Sequence, residues 1–181
     1  MEKLFEKIID NDEKILKVFK PHKGKFFLSV LVLWALTLSS FLFVGVVAIF
    51  AESISWVYVF IPIGIWLFCL LIVYLFALIY YKNLYYAYSN KRLIIRSGIF
   101  GVDFKSLDMS MIGAVNVYVS LLDKVLRKDT GSLAFGSTAS PMGYGQNAGT
   151  GYRFNHIEKP YETCKEVKMF IDNYKKKIPS K

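Results

Sequence analysis

Charge is missing from two long stretches of this chain. No Asp, Glu, Lys or Arg lies between Lys25 and Glu52, and none lies between Glu52 and Lys82. The two runs, residues 26–51 and 53–81, hold 26 and 29 residues. About 20 helical residues cross the roughly 30 Å hydrocarbon core of a bilayer. A helix of a soluble protein rarely stays apolar around its whole circumference for that distance. In lipid, a helix satisfies every backbone amide within the segment. The missing charge therefore predicts a membrane helical hairpin. It does not describe a secretory signal, whose apolar region is about 7–15 residues long, because a second run follows the first at once.

Cysteine and histidine are equally sparse, with two of each in 181 residues. Cys69 falls inside the second run and Cys164 far beyond it, which excludes a disulfide scaffold and leaves neither with a metal-ligating companion. His22 sits in Lys20-Pro21-His22-Lys23 with no neighbouring carboxylate or thiol, so a structural hydrogen bond is its expected role. His156 has Glu158 near it and no nucleophile in a recognisable setting. The acids after residue 82 are scattered, and the apolar runs hold no ionisable side chain other than Tyr and Cys69, whereas a pump or channel commonly needs such groups along its path. No metal, no cofactor and no enzymatic activity are expected.

Positive charge is plentiful and unevenly placed. Residues 1–25 carry net +2 and residues 82–181 net +8, of a total of +9. Lys14, Lys17, Lys20, Lys23 and Lys25 precede the first run, and Lys82, Lys91, Arg92 and Arg96 follow the second. The short connection has only Glu52. Basic residues flanking spans stay in the cytoplasm, so both termini are expected there, in a multi-pass protein of the cell membrane. Three parts follow: a cytoplasmic arm over residues 1–25, a two-helix transmembrane hairpin over 26–81, and a cytoplasmic domain over 82–181. In the arm, Leu4, Phe5, Ile8 and Ile9 share a helical face, and Asn11 and Asp12 are placed to cap a second short helix over 13–19. Two readings stay open for the arm: an interfacial helix on anionic lipid, or a helix packed on the domain.

Past Lys82 the periodicity changes. Residues 85–89 read as an aromatic strand, Asn90-Lys91 as a turn and 92–96 as the returning strand. Further strands are expected over 102–108, around Val115, Val117 and Val119, over 132–138 and over 152–156. A short helix is expected at 121–126, and Leu121, Leu122, Val125 and Leu126 form an apolar ledge there, either core or docking surface. Pro160 opens a last helix whose Cys164, Val167, Phe170, Ile171 and Tyr174 repeat as one apolar stripe. The uncharged stretch 136–151 contains Gly143-Tyr144-Gly145, but it lacks the helix that a phosphate cradle requires and reads as a hairpin loop.

The order of these pieces resembles a known family. Asn90-Lys91-Arg92-Leu93-Ile94-Ile95-Arg96-Ser97-Gly98 is similar to the opening hairpin of the bacterial pleckstrin-homology-like (PH-like) domain. The similarity continues through Leu107-Asp108-Met109-Ser110-Met111-Ile112, residues 115–122, Gly131-Ser132-Leu133 and Phe154-Asn155-His156-Ile157-Glu158-Lys159-Pro160. Pro21-His22 and two spans match the membrane-anchored branch. The resemblance implies an α+β fold: two transmembrane helices, then a strongly bent seven-stranded antiparallel sheet capped by a C-terminal helix. It implies a binding scaffold and no particular ligand. In eukaryotic relatives that hold inositol phosphates, closely spaced basic residues line the first hairpin. Here Lys91, Arg92 and Arg96 match that placement, while Ile94 replaces the middle cation.

Lys82, Lys91, Arg92 and Arg96 form the first candidate binding cluster, for anionic lipid or a partner, and Lys124, Arg127 and Lys128 form the second. Nothing resembles a nucleic-acid reading element. The expected function is a membrane-anchored, non-enzymatic adaptor that binds lipid headgroups, peptides or copies of itself. The alternative is an accessory subunit of a larger membrane complex, with Ser39, Ser40 and Gly45 packed on foreign helices.

Overall fold

The computed structural model describes residues 4–6, 8–50, 57–125, 129–137 and 152–177, without the side chains of residues 38–50, 57–59, 122, 125 and 177. The elements run β1 (Ile15–Phe19), α1 (Lys23–Phe50), α2 (Val57–Asn83), β2 (Tyr85–Ser89), β3 (Arg92–Ser97), β4 (Asp103–Asp108), β5 (Ile112–Tyr118), α3 (Leu121–Val125), β6 (Thr130–Ser137), β7 (Arg153–Glu158) and α4 (Pro160–Lys177). They divide into two compact units. One joins Met1–His22 to Asn83–Lys181; the other is Lys23–Lys82.

The second unit is the pair α1 and α2. Phe26 stacks on Tyr80 with ring centroids 6.1 Å apart, Phe27 meets Tyr74 and Tyr81, and Trp34 lies 5.7 Å from Trp66. The indole N–H of Trp66 donates to Thr37 Oγ1 at 3.1 Å. One helix among the described residues is long and apolar enough to cross a membrane: Phe60–Asn83, 24 residues, whose most apolar 18-residue window has a mean hydropathy of 2.6 and is only 6 % buried. The sequence led us to expect two such helices. For the other run, the side chains of residues 38–50, those of Ser39 and Ser40 among them, and the whole of residue 51 lie outside the described residues, and with them the packing expected at Ser39, Ser40 and Gly45.

The first unit is an α+β module with two antiparallel sheets, ordered β1-β2-β3-β4 and β5-β6-β7. The expected single bent sheet is thus divided. A 3-10 turn, Met109–Met111, separates β4 from β5. The Met109 N–H donates to the Lys91 carbonyl at 3.0 Å, the last bond in the β3–β4 register, and the turn then leads into β5 in the other sheet.

The tight β2–β3 hairpin follows from Ser89 and Asn90. Ser89 Oγ accepts the N–H groups of Lys91 and Arg92 at 3.1 and 2.9 Å, satisfying the turn. Asn90 Oδ1 accepts the Lys14 N–H at 2.9 Å, and the Asn90 N–H donates to the Lys14 carbonyl at 3.1 Å. Those bonds recruit the N-terminal arm as an edge strand, not as the expected helix. β1 pairs with β2 from Ile15↔Ser89 to Phe19↔Tyr86.

Alternation then sorts the side chains. Tyr86, Tyr88, Leu93 and Ile95 face inward, where Tyr86 stacks 4.7 Å from Phe154 and Phe154 meets Phe135 edge-on at 4.8 Å. Ala87 and Ile94 face outward and are nevertheless fully buried, covered by Phe5 with Leu4 and Ile9. The arm therefore supplies a second small core on the outer face of the first sheet.

α4 covers the second sheet through Val167 and Ile171, and Phe170 lies 5.5 Å from Tyr88. Its first residue, Pro160, packs on Gly131 so closely that a Cβ there would lie 2.9 Å from the proline ring. A side chain at 131 would push the helix off the sheet. α3 begins with a reciprocal cap: Asp123 Oδ2 accepts the Ser120 N–H at 3.1 Å, and Ser120 Oγ accepts the Asp123 N–H at 3.4 Å. Thr130 Oγ donates to the same buried carboxylate.

Candidate functional site

Within the module, the basic residues of the first cluster are spread along the β2–β3 hairpin. Lys91 and Arg92 sit at the β2–β3 turn and Arg96 near the other end of β3. Four steps along the strand separate Arg92 from Arg96, roughly 13 Å at about 3.3 Å each. Lys82 occupies the last turn of α2, and Lys124 lies exposed on α3. Arg127 and Lys128 lie outside the described residues, as do residues 138–151 of the Gly-rich stretch. Of the apolar ledge at 121–126, Leu121 is exposed.

Arg92 is committed to the protein itself. Its Nη2 donates to Glu13 Oε2 at 2.7 Å and to the Ile8 carbonyl at 2.7 Å, and its Nε reaches both Glu13 oxygens at 3.1 Å. Asp10 adds a carboxylate at 3.6 Å. Ser89 Oγ also donates to Glu13. Burial works to raise the Glu13 pKa. The hydrogen bonds from Arg92, Ser89 and the Asp10 N–H outweigh it and hold the carboxyl below the ordinary range. Hydrogen bonding to Glu13 raises the Arg92 pKa in turn. This is a latch that closes the arm, 79 residues away in sequence, and it removes Arg92 from the ligand candidates.

Arg96 is in a different situation. It pairs across the ladder with Tyr85 and Phe104, and its guanidinium carbon lies 5.7 Å from the centre of the Tyr85 ring. Its Nε is buried without a hydrogen-bond partner among the described residues. Lys20, which sequence reasoning left out of the clusters, shares that ring. Its Nζ lies 4.6 Å from the ring centre and donates to the Tyr85 hydroxyl at 3.1 Å. Two cations on one aromatic ring repel each other and favour an anion beside them. The missed signal was the run Ile15-Leu16-Lys17-Val18-Phe19-Lys20, whose β-branched residues fit an edge strand and bring Lys20 onto Tyr85.

A third group ties β1 to α4. Glu166 accepts from Lys17 at 2.5 Å and from the Tyr88 hydroxyl at 2.8 Å. The Lys17 hydrogen bond, partly offset by burial, lowers the Glu166 pKa. Burial first, then the Glu166 hydrogen bond and charge, raises that of Tyr88. Burial also raises the Cys164 thiol, against a smaller opposite effect of Lys168. No group of three or more His, Cys, Asp or Glu converges among the described residues. His156 occupies a bulge opposite Ser132 with a left-handed backbone (φ 56°), and its carbonyl accepts the His22 N–H at 2.7 Å.

A family model described as bacterial PH domain matches residues 25–177. The chain belongs to the bacterial PH domain family. The match takes in both long helices and β2 to α4, while β1 and the latch residue Glu13 precede it. Comparison with curated proteins and with solved structures gave no match. Family membership supports a binding module. In this bacterial PH domain the first hairpin offers Lys91 at its turn and Arg96 at its far end, with Arg92 and Ile94 covered by the arm.

Proposed function

We propose that this bacterial PH domain is a membrane-anchored, non-catalytic adaptor. α1 and α2 cross the cell membrane as a hairpin, both termini stay in the cytoplasm, and the module binds anionic lipid headgroups, a peptide or a second copy at the inner face. One observation carries the anchor: Phe60–Asn83 is apolar along its length and almost wholly unburied. Leu33 and Leu36 of α1 are likewise exposed, at 67 % and 65 %. Removing such surface from water is worth about 25 cal/mol per Å², and lipid is a solvent that removes it on all sides. The excess of Lys and Arg on both flanks supports the orientation, and each cation near an anionic leaflet adds about 1 kcal/mol of attraction.

Extraction of native membranes at alkaline pH tests the anchor. The full chain is expected to stay in the pellet; recovery of intact chain in the supernatant contradicts it. Binding belongs with the full chain and not with residues 83–181 alone, since β1 and Phe5 complete the first sheet.

A further inference from the structure

We propose that the β3–β4 turn is a second membrane contact, an apolar tip that dips into the lipid interface with Arg96 and Lys20 at headgroup level behind it. The turn runs Gly98-Ile99-Phe100-Gly101-Val102. Phe100 is 92 % exposed, and Ile99 and Val102 are about two-fifths exposed. A soluble loop places Gly, Asn, Asp and Ser at such a tip; three large apolar side chains on one turn mark a binding surface. The turn is also tightly built. Gly98 has φ +143°, and a Cβ on it would lie 2.1 Å from the Gly101 carbonyl oxygen. The backbone closes on itself there and pushes Ile99 and Phe100 outward.

Two further observations choose lipid as the occupant. Asn83, the last residue of α2, donates its side-chain amide to the Gly98 carbonyl at 3.1 Å. The tip thus begins one hydrogen bond from the residue where the most apolar helix ends. If α2 spans, that residue lies at the membrane surface, so this inference rests on the anchor proposed above. Charge supplies the second argument. Arg96 ends β3 just before the tip, shares the Tyr85 ring with Lys20, and makes no ion pair among the described residues. An apolar, aromatic insert backed by cations and a tyrosine matches the layered chemistry of an anionic leaflet, acyl chains below and phosphates above.

The test uses the full chain, freed of Cys69 and Cys164, in nanodiscs of phosphatidylcholine mixed with phosphatidylglycerol. A polarity-sensitive fluorophore is attached at Phe100→Cys and, as a reference, at Met169→Cys, an exposed position on α4. The expected result is blue-shifted emission at 100 with several-fold less iodide quenching than at 169. Adding Lys20→Gln and Arg96→Gln should restore part of that quenching. Equal quenching at the two positions overturns the inference, as does shielding at 100 that grows with protein concentration, which would mean a second copy covers the tip. Unchanged shielding in the Lys20→Gln/Arg96→Gln variant overturns the headgroup role. Retention in the pellet at alkaline pH is measured in parallel. A retained chain with a water-exposed tip refutes the tip alone, whereas a chain released by alkali refutes the anchor.

Discussion

Replacing Phe154 by alanine is expected to cost the module about 3–5 kcal/mol, the range for a large aromatic removed from a closed core. Phe154 is fully buried. It stacks on Tyr86 at 4.7 Å and 16° between planes, meets Phe135 edge-on at 4.8 Å and reaches Phe19 at 6.3 Å. Phe19 and Tyr86 belong to the first sheet, and Phe135 and Phe154 to the second. The ring is therefore a central contact between the two sheets, which share no ladder pairing among the described residues. In the full chain with Cys69→Ser, labelling of the half-buried Cys164 thiol during urea titration reads unfolding of the module without a signal from the long helices. Phe100→Ala, at an exposed position, should stay within about 0.5 kcal/mol. A Phe154→Ala loss no larger than that of Phe100→Ala would mean the sheets do not depend on this ring.

Arg92→Ala should cost about 3 kcal/mol at neutral pH, the low end for breaking a buried ion pair, because Arg92 keeps 20 % of its side chain exposed while Glu13 keeps none. The loss comes mainly from the partner left behind, a buried carboxylate without its cation. Its pH dependence is distinctive. In the native protein the Glu13 pKa is lower folded than unfolded, so the unfolded chain binds more protons in acid. The stabilisation from Glu13 is complete above the ordinary carboxylate pKa of about 4.5 and is lost as pH falls through the lowered folded value. In the Arg92→Ala protein, only the Ser89 and Asp10 hydrogen bonds still oppose burial, so the Glu13 pKa rises relative to the native protein and acid relieves the buried charge. The difference between the two proteins should therefore shrink on going from pH 7 to about pH 4. Urea titrations at both pH values measure it, and a difference that stays constant or grows in acid would contradict the latch.

Some of this was legible in the sequence for plain physical reasons. Absent charge marks a long apolar helix whatever surrounds it, and Phe60–Asn83 is one. The β2–β3 hairpin is local, since Ser89 and Asn90 supply the turn chemistry beside the strands. α4 shows its 3.6-residue stripe because one face meets water and the other a sheet. The arm misled for an equally physical reason. Leu4, Phe5 and Ile9 do cluster, but on Ala87 and Ile94, and β1 exists only through pairing with residues some 76 positions away. Exposure along β1 does not alternate, since Leu16 and Lys17 are both exposed, so its β-branched residues give a strand signal too weak to stand alone. The same distance hid the site. Arg92 and Arg96 look alike in sequence, and only Glu13 and Tyr85 distinguish them, one consuming a cation and the other leaving it available.

The central claim, a hairpin in the membrane with its PH module in the cytoplasm, is tested most directly by labelling intact cells with a membrane-impermeant maleimide. The chain would carry a single cysteine, either Ser53→Cys between the two apolar runs or Met169→Cys on α4. The account predicts that position 53 is labelled in intact cells and position 169 only after permeabilisation. Labelling of position 169 in intact cells, or protection of position 53 until the cells are opened, would contradict it.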